Sequence, residues 1–181
     1  LVSGYKPIDK YPYFYNIEKS SDFINELDLP MHFITIHNQS GSKQRNWEIK
    51  KWISLIEYIT VTLDIYVVEI GLESKLNIQG SNMYLNLCGR LSILNTAEII
   101  KRSFLYIGLD SGPAHIANAV GTYGIILLGD YNHFRNYQPF SGNYETKSKI
   151  HLIRSNDRVS SISIETVKSA VMNYINENYN S

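Results

Sequence analysis

The chain has 181 residues, 44% of them apolar and 19% charged, a balance that supports a buried core and excludes wholesale disorder. Lys plus Arg and Asp plus Glu each number 17, so no global field holds a nucleic-acid backbone. No apolar run reaches the roughly 20 residues of a membrane-spanning helix, and the single cysteine, Cys88, excludes an internal disulfide and fits a reducing compartment.

Residues 1–30 are rich in Tyr, Pro and Lys without a sustained period, and Phe23, Ile24 and Leu27 predict one short helix among them. This stretch reads as a linker or lead-in segment packed on a domain that occupies residues 31–181. The first residues show neither an initiating Met nor a signal pattern, as expected of a piece cut from a longer chain. Phe33-Ile34-Thr35-Ile36-His37 is a β-branched run followed by the polar stretch Asn38 to Asn46, a strand and then a loop. Ile49, Trp52, Ile53, Ile56 and Ile59 recur at three- and four-residue steps and predict an amphipathic helix of about 13 residues, with Asn46 as its N-cap.

The alternation continues along the chain. Ile65 to Ile70 is a second strand closed by Gly71, and Met83 to Leu87 a short third one. Asn95-Thr96-Ala97-Glu98 has the spacing of a capping box and predicts a helix ending near Arg102. Phe104 to Leu109 is a strand, Ser111 to Val120 a helix, Tyr123 to Leu128 a strand and Ile150 to Ile153 the last strand. Ile164, Val167, Val171, Tyr174 and Ile175 form the stripe of a C-terminal helix capped by Ser163. Strands alternating with helices across short loops predict an α/β, Rossmann-like domain, a mainly parallel sheet with helices on both faces. The strands at 31–37, 63–70, 104–109 and 123–128 are expected at its centre.

Open parallel sheets bind ligands at the carboxyl ends of their strands, and two loops there carry the right residue types. In Asn38 to Trp47, Ser40, Gly41 and Ser42 let backbone approach an anion and Arg45 can neutralise it, although neither a dinucleotide fingerprint nor a Walker loop is present. An ordinary polar strand–helix connection has the same composition. In Asp110-Ser111-Gly112-Pro113-Ala114-His115, a hydrophobic strand runs into a helix whose first turn tolerates proline and whose positive end attracts anions. His115 follows Ser111 by four residues, on the same helical face. The same residues also serve a simple N-cap with a satisfied core histidine. Both loops follow strands expected to be parallel neighbours, which puts them on one edge of the sheet, facing one cleft.

Asp110-Ser111-Gly112-Pro113-Ala114-His115-Ile116-Ala117, with Ala119 to Thr122 and the strand Gly124 to Gly129, resembles the D-[ST]-G-x-x-H-x-A signature of glycosyltransferase family 9, the heptosyltransferases of bacterial cell-surface polysaccharide assembly. Ser40 to Trp47 resembles that family's hydroxyl-rich phosphate loop, and Leu87 to Ser92 its L-x-G-[KR]-x-S step. The resemblance covers about residues 31–130. The family usually has Lys in place of Arg45 and Pro-Gly in place of Asn38-Gln39; Arg keeps the charge but presents a planar fork.

The resemblance implies one half of a GT-B fold, the C-terminal half, which binds a nucleotide-diphospho-sugar donor. The expected donor-binding residues are Ser40, Gly41, Ser42, Arg45, Asp110, Ser111, Gly112, Pro113 and His115, with Glu73 on the ribose hydroxyls and Glu69 as the alternative. It implies an inverting glycosyltransferase that needs no metal or other cofactor, and whose catalytic base belongs to an N-terminal domain missing here. The acceptor is a glycan, a lipid-linked molecule or a protein, and the location is cytoplasmic, peripheral at the inner membrane face. His133, Arg135, Tyr137 and Pro139 either line the cleft or pack a loop. A second functional class, a non-catalytic nucleotide-binding or interaction module of the same fold, would use Tyr5, Tyr11, Tyr13, Phe14 and Tyr15 as a partner surface.

Overall fold

The structure is a computed structural model that describes residues 11–15, 21–130 and 140–179. His133, Arg135, Tyr137, Pro139 and Tyr5 lie outside the described residues. Among the described residues six strands form one sheet: β1 (Phe33–His37), β2 (Tyr66–Glu69), β3 (Tyr84–Asn86), β4 (Leu105–Leu109), β5 (Gly124–Leu128) and β6 (Ile150–Arg154). Their order is β3-β2-β1-β4-β5-β6, and every pair is parallel. The four strands expected at the centre are the inner four. β1, β4 and β5 are buried along their whole length, as continuous apolar runs in a sheet covered on both faces should be.

Helices α1 (Ser21–Asn25), α2 (Ile49–Glu57), α3 (Ile93–Arg102), α4 (Gly112–Val120), α5 (Gly142–Glu145) and α6 (Ile164–Tyr179) complete the domain. Trp52, Leu55 and Ile56 of α2 and Val167 and Val171 of α6 pack on one face, against Ile34, Ile36, Ile107 and Ile125. Ile24 of α1, Ile99 and Ile100 of α3, and Ala114 and Ala117 of α4 pack on the other, against Phe33, Val68, Tyr106 and Ile126. The alternation of side chains along each strand feeds the two cores.

Two helix starts differ from expectation. Asn46 is not the cap of α2; its Oδ1 accepts the Ser40 amide at 2.7 Å, and the helix begins after Glu48. The delay has a packing cause. Trp47 is buried edge-on against Trp52 and donates Nε1 to the Ile162 carbonyl at 2.8 Å, which draws the chain inward before the helix can start. Likewise α3 opens at Ile93, with the Ser92 hydroxyl accepting the Asn95 amide at 3.1 Å, so Ser92 and not Asn95 is the cap. The predicted Ser163 cap is present on Thr166 at 3.1 Å.

Gly129 follows β5 where the chain from 157 to 159 crosses it. A Cβ there would lie 2.8 Å from the Val159 nitrogen and 2.9 Å from the Asp157 carbonyl oxygen, backbone atoms that cannot swing aside. Gly129→Ala is expected to lower unfolding free energy by about 1–3 kcal/mol, the usual cost of overpacking, as read by urea denaturation.

Candidate functional site

The strand order reverses between β1 and β4. The chain leaving β1 goes to α2 on one face, and the chain leaving β4 goes to α4 on the other. Neighbouring strands whose exits diverge leave a crevice at their carboxyl ends, the ligand position of open α/β sheets. A groove of about 500 Å³ lies there, lined by residues of both expected loops, including Ser40, Gly41, Ser111, Gly112 and Pro113.

The groove has two chemically distinct ends. At one, Ser111 heads α4 and Pro113 brings no N–H. The amides of Ala114 and His115 turn back to the Ser111 carbonyl at 3.0 and 3.4 Å. Among the described residues this leaves the Ser111 and Gly112 amides to meet an anion at the positive end of the helix. A Cβ on Gly112 would meet nothing within 4 Å, so its approach is open. At the other end Leu91, Ile93, Leu72 and Ile116 present an apolar wall, with Leu72 94% and Ile93 66% exposed. Such exposure of large apolar side chains beside polar ones suits a flat, partly apolar ligand group.

Arg45, Asp110 and His115 stand beside the groove as a separate charged cluster. Arg45 Nη1 donates to the Asp110 carbonyl at 3.3 Å and lies 3.7 Å from the buried carboxylate, while His115 Nε2 lies 3.9 Å from its other oxygen. Burial pushes the Asp110 carboxyl above its usual range, and His115 and Arg45 pull it back. Among the described residues Asp110 does not act as a simple N-cap: its carboxylate faces these two side chains instead. His115 is not a core histidine either, because half its side chain is exposed and its ring packs against Phe140 at 4.9 Å.

Ser42 and Glu73 do not line the groove. The Ser42 carbonyl accepts the Ser40 hydroxyl at 2.9 Å within the loop. Glu73 reaches outward to Lys75 at 3.3 Å, and its carbonyl accepts Gln39 Nε2 at 2.8 Å. Glu69, the alternative for the ribose, is fully buried and committed to its own structure. It accepts Asn38 Nδ2 at 2.5 Å, the Ser74 hydroxyl at 2.7 Å and the Tyr84 hydroxyl. These donors come from the β1 loop, the β2 loop and β3, so the buried carboxylate ties together the loops beside the groove. Burial, reinforced by Glu69, pushes the Tyr84 phenol up and the Cys88 thiol up to about 12, which leaves Cys88 an unreactive thiol.

Besides the apolar wall, the sequence-based set lacked one ionisable groove residue, His37. It ends β1, lines the groove floor and is almost fully buried, with Nδ1 3.0 Å from Ser111 Oγ. The available signal was an ionisable side chain at the carboxyl end of a central strand.

This six-stranded parallel sheet, with a groove at the reversal of strand order, defines a Rossmann-like α/β domain. The chain belongs to glycosyltransferase family 9 (heptosyltransferase), whose sequence profile matches residues 15–167. Among solved structures it is similar to the glycosyl transferase family 9 protein from Veillonella parvula DSM 2008 (TM-score 0.70, 18% identity, covering 90% of this chain and 52% of that one). It is also similar to E. coli heptosyltransferase WaaC with ADP (0.69, 13%, 94% and 52%) and to UDP-GlcNAc 2-epimerase from Methanocaldococcus jannaschii (0.61, 14%, 86% and 42%). The chain thus spans about half the length of these solved proteins. No curated protein matches it by sequence.

Burial holds His37 near pKa 4, against an ordinary 6.5, because the cation loses its hydration. The unfolded chain therefore binds the extra proton first as pH falls. The stability contributed by neutral His37 is complete above about pH 6.5 and is lost toward pH 4, by up to roughly 3 kcal/mol. Asp110, raised by burial, acts with the opposite sign, so a comparison is needed: His37→Gln is expected to flatten this acid limb in urea denaturation between pH 7 and 4.

Proposed function

We propose that this chain is the donor-binding half of an inverting glycosyltransferase and that its groove takes a nucleoside-diphospho-sugar. The observation that carries the reading is the joining, in one groove at the strand-order reversal, of an apolar wall to a helix N-terminus with open amides. The base would lie between Leu72 and Ile93, and the diphosphate on Ser111 and Gly112, with Ser40 and Gly41 opposite. Arg45, whose side chain is 40% exposed beside Asp110, has N–H groups left to meet a phosphate from the flank.

In the reaction, an acceptor hydroxyl attacks the anomeric carbon from the face opposite the diphosphate. The new C–O bond forms as the bond to the diphosphate oxygen breaks, the hydroxyl proton passes to a base on an N-terminal half, and the departing diphosphate carries off the electron pair. Fixed amide dipoles and a cation compensate the growing negative charge without reorganising. The acceptor would be a glycan, a lipid-linked molecule or a protein. No helix among the described residues is long and apolar enough to cross a membrane; we place the enzyme in the cytoplasm, peripheral at the inner membrane face. The matched family and the nucleotide and nucleotide-sugar names among the similar structures support this reading.

A non-catalytic interaction module is the competing reading. It draws on Tyr13 and Tyr15, which are exposed and packed edge-to-face at 4.7 Å.

Calorimetry with ADP, UDP and GDP tests the proposal. At least one is expected to bind the chain, and Gly112→Val is expected to weaken it by at least ~1.4 kcal/mol, or tenfold, with an unchanged melting temperature because its Cβ occupies open space. Arg45→Ala should cost on the order of 1–3 kcal/mol of binding. Absence of binding by all three at millimolar concentration favours the module, and sugar transfer by this chain alone removes the base from the other half.

A further inference from the structure

We infer that His37 is a specificity-determining residue of the groove: Ser111 holds its imidazole in the Nδ1–H form, so that Nε2 offers a bare lone pair to a hydroxyl of the ligand's pentose. The inference rests on the nucleotide-binding reading above and adds to it a residue and a hydroxyl.

The tautomer follows from two contacts. Ser111 Oγ lies 3.0 Å from His37 Nδ1 and 3.2 Å from the Leu109 carbonyl. A carbonyl oxygen only accepts, so the single serine proton goes to Leu109, and Oγ is left to accept a proton from Nδ1. The reverse assignment sets the lone pairs of Ser111 and Leu109 against each other. With Nδ1 protonated and the ring neutral, Nε2 is an acceptor. It has no hydrogen-bond partner among the described residues.

The position follows from the sheet. β1 lies between β2 and β4, so His37 stands between Ser111 on one side and Gly71 on the other. A Cβ on Gly71 would lie 3.5 Å from His37 Cδ2 and 3.7 Å from Nε2, which places this ring edge beside the β2 loop. Gly71 itself adopts φ +153°, a backbone that side-chain-bearing residues rarely take, and it leaves the floor open next to the imidazole. The anion end at Ser111–Gly112 and the apolar wall at Leu72 and Ile93 therefore have His37 between them. A nucleoside diphosphate has its pentose between base and phosphates. Its hydroxyls thus meet a buried acceptor whose orientation is already set, and a deoxypentose leaves that acceptor dry and unpaired. A missing partner in a buried polar site is what discriminates strongly between such analogues.

Two measurements test this. In the free chain, nitrogen-15 NMR of histidine is expected to show His37 neutral at pH 7, with Nδ1 protonated and Nε2 bare; a protonated Nε2 overturns the inference without any ligand. For binding, the probes are whichever of ADP, UDP and GDP binds tightest and its 2′,3′-dideoxy analogue. The native chain is expected to prefer the ribose form by about tenfold, the worth of one hydrogen bond to a buried acceptor. His37→Asn keeps an amide nitrogen near Nδ1 for Ser111 but removes the Nε2 acceptor, and is expected to bind both probes equally. His37→Gln, whose amide oxygen reaches the Nε2 position, is expected to restore the preference. An unchanged preference in His37→Asn overturns the role of Nε2 while leaving the nucleotide site standing. Failure of the native chain to bind any of the three overturns the nucleotide site, and this assignment with it.

Discussion

The pairing of β1 with β4 governs everything at the ligand edge. The two strands run parallel in register from Ile34 opposite Leu105 to His37 opposite Gly108, so they end at the same height. Their chains then part, toward α2 on one face and α4 on the other. Backbone hydrogen bonds that would otherwise continue between the strands stop there, and the exposed groups of both loops face a shared opening. The Ser111–His37 contact bridges that opening at its base, joining the residue that ends β1 to the residue that begins α4. A one-residue slip in this pairing would send His37 to the opposite face and dissolve the floor of the groove.

Around this junction the loops are held by side chains rather than by regular structure. Trp47 and Lys51 reach carbonyls of residues 160–162, with Nε1 2.8 Å from Ile162 and Nζ 2.6 Å from Ser160. The β1 loop is thereby fastened to the segment leading into α6. On the other side Glu69 gathers Asn38, Ser74 and Tyr84. A buried carboxylate is costly unless donors fill its lone pairs, and among the described residues three donors from separate segments do so here. That arrangement fixes relative loop positions, because moving any one loop strips a hydrogen bond from a buried charge.

The sheet and its helices were legible because continuous apolar strands and three- and four-residue helical steps report burial directly. The inner strands, the helix after Asp110 and the Ser163 cap all lie where those patterns put them. Local rules failed where a distant partner intervened. Asn46 has the chemistry of a cap, but the Ser40 amide takes its side-chain oxygen; Asp110 has the chemistry of a turn-fixing carboxylate, but Arg45, 65 residues earlier in sequence, and His115 flank it. Glu69 reads as one acidic position in an apolar run, and only the fold reveals its three donors. His37 carried a signal at the end of a central strand, but its meaning depends on Ser111, 74 residues away.

The charge distribution also separates the roles of the two halves of the site. Arg45 sets its charge against the buried Asp110, while the groove proper is lined by hydroxyls, glycines, a neutral imidazole and apolar groups. An anion entering the groove would therefore meet oriented dipoles first, with Arg45, partly offset by Asp110, on its flank. Point charges bind a diphosphate whether or not it is still bonded to sugar, with a strength that tracks total charge. Amide dipoles at Ser111 and Gly112 act over short range, and they favour the geometry in which charge sits on the oxygen nearest the helix end. On the donor-binding reading proposed above, a site compensated in this way would hold the donor modestly at rest and gain most as negative charge moves onto that oxygen, the differential binding that sugar transfer needs.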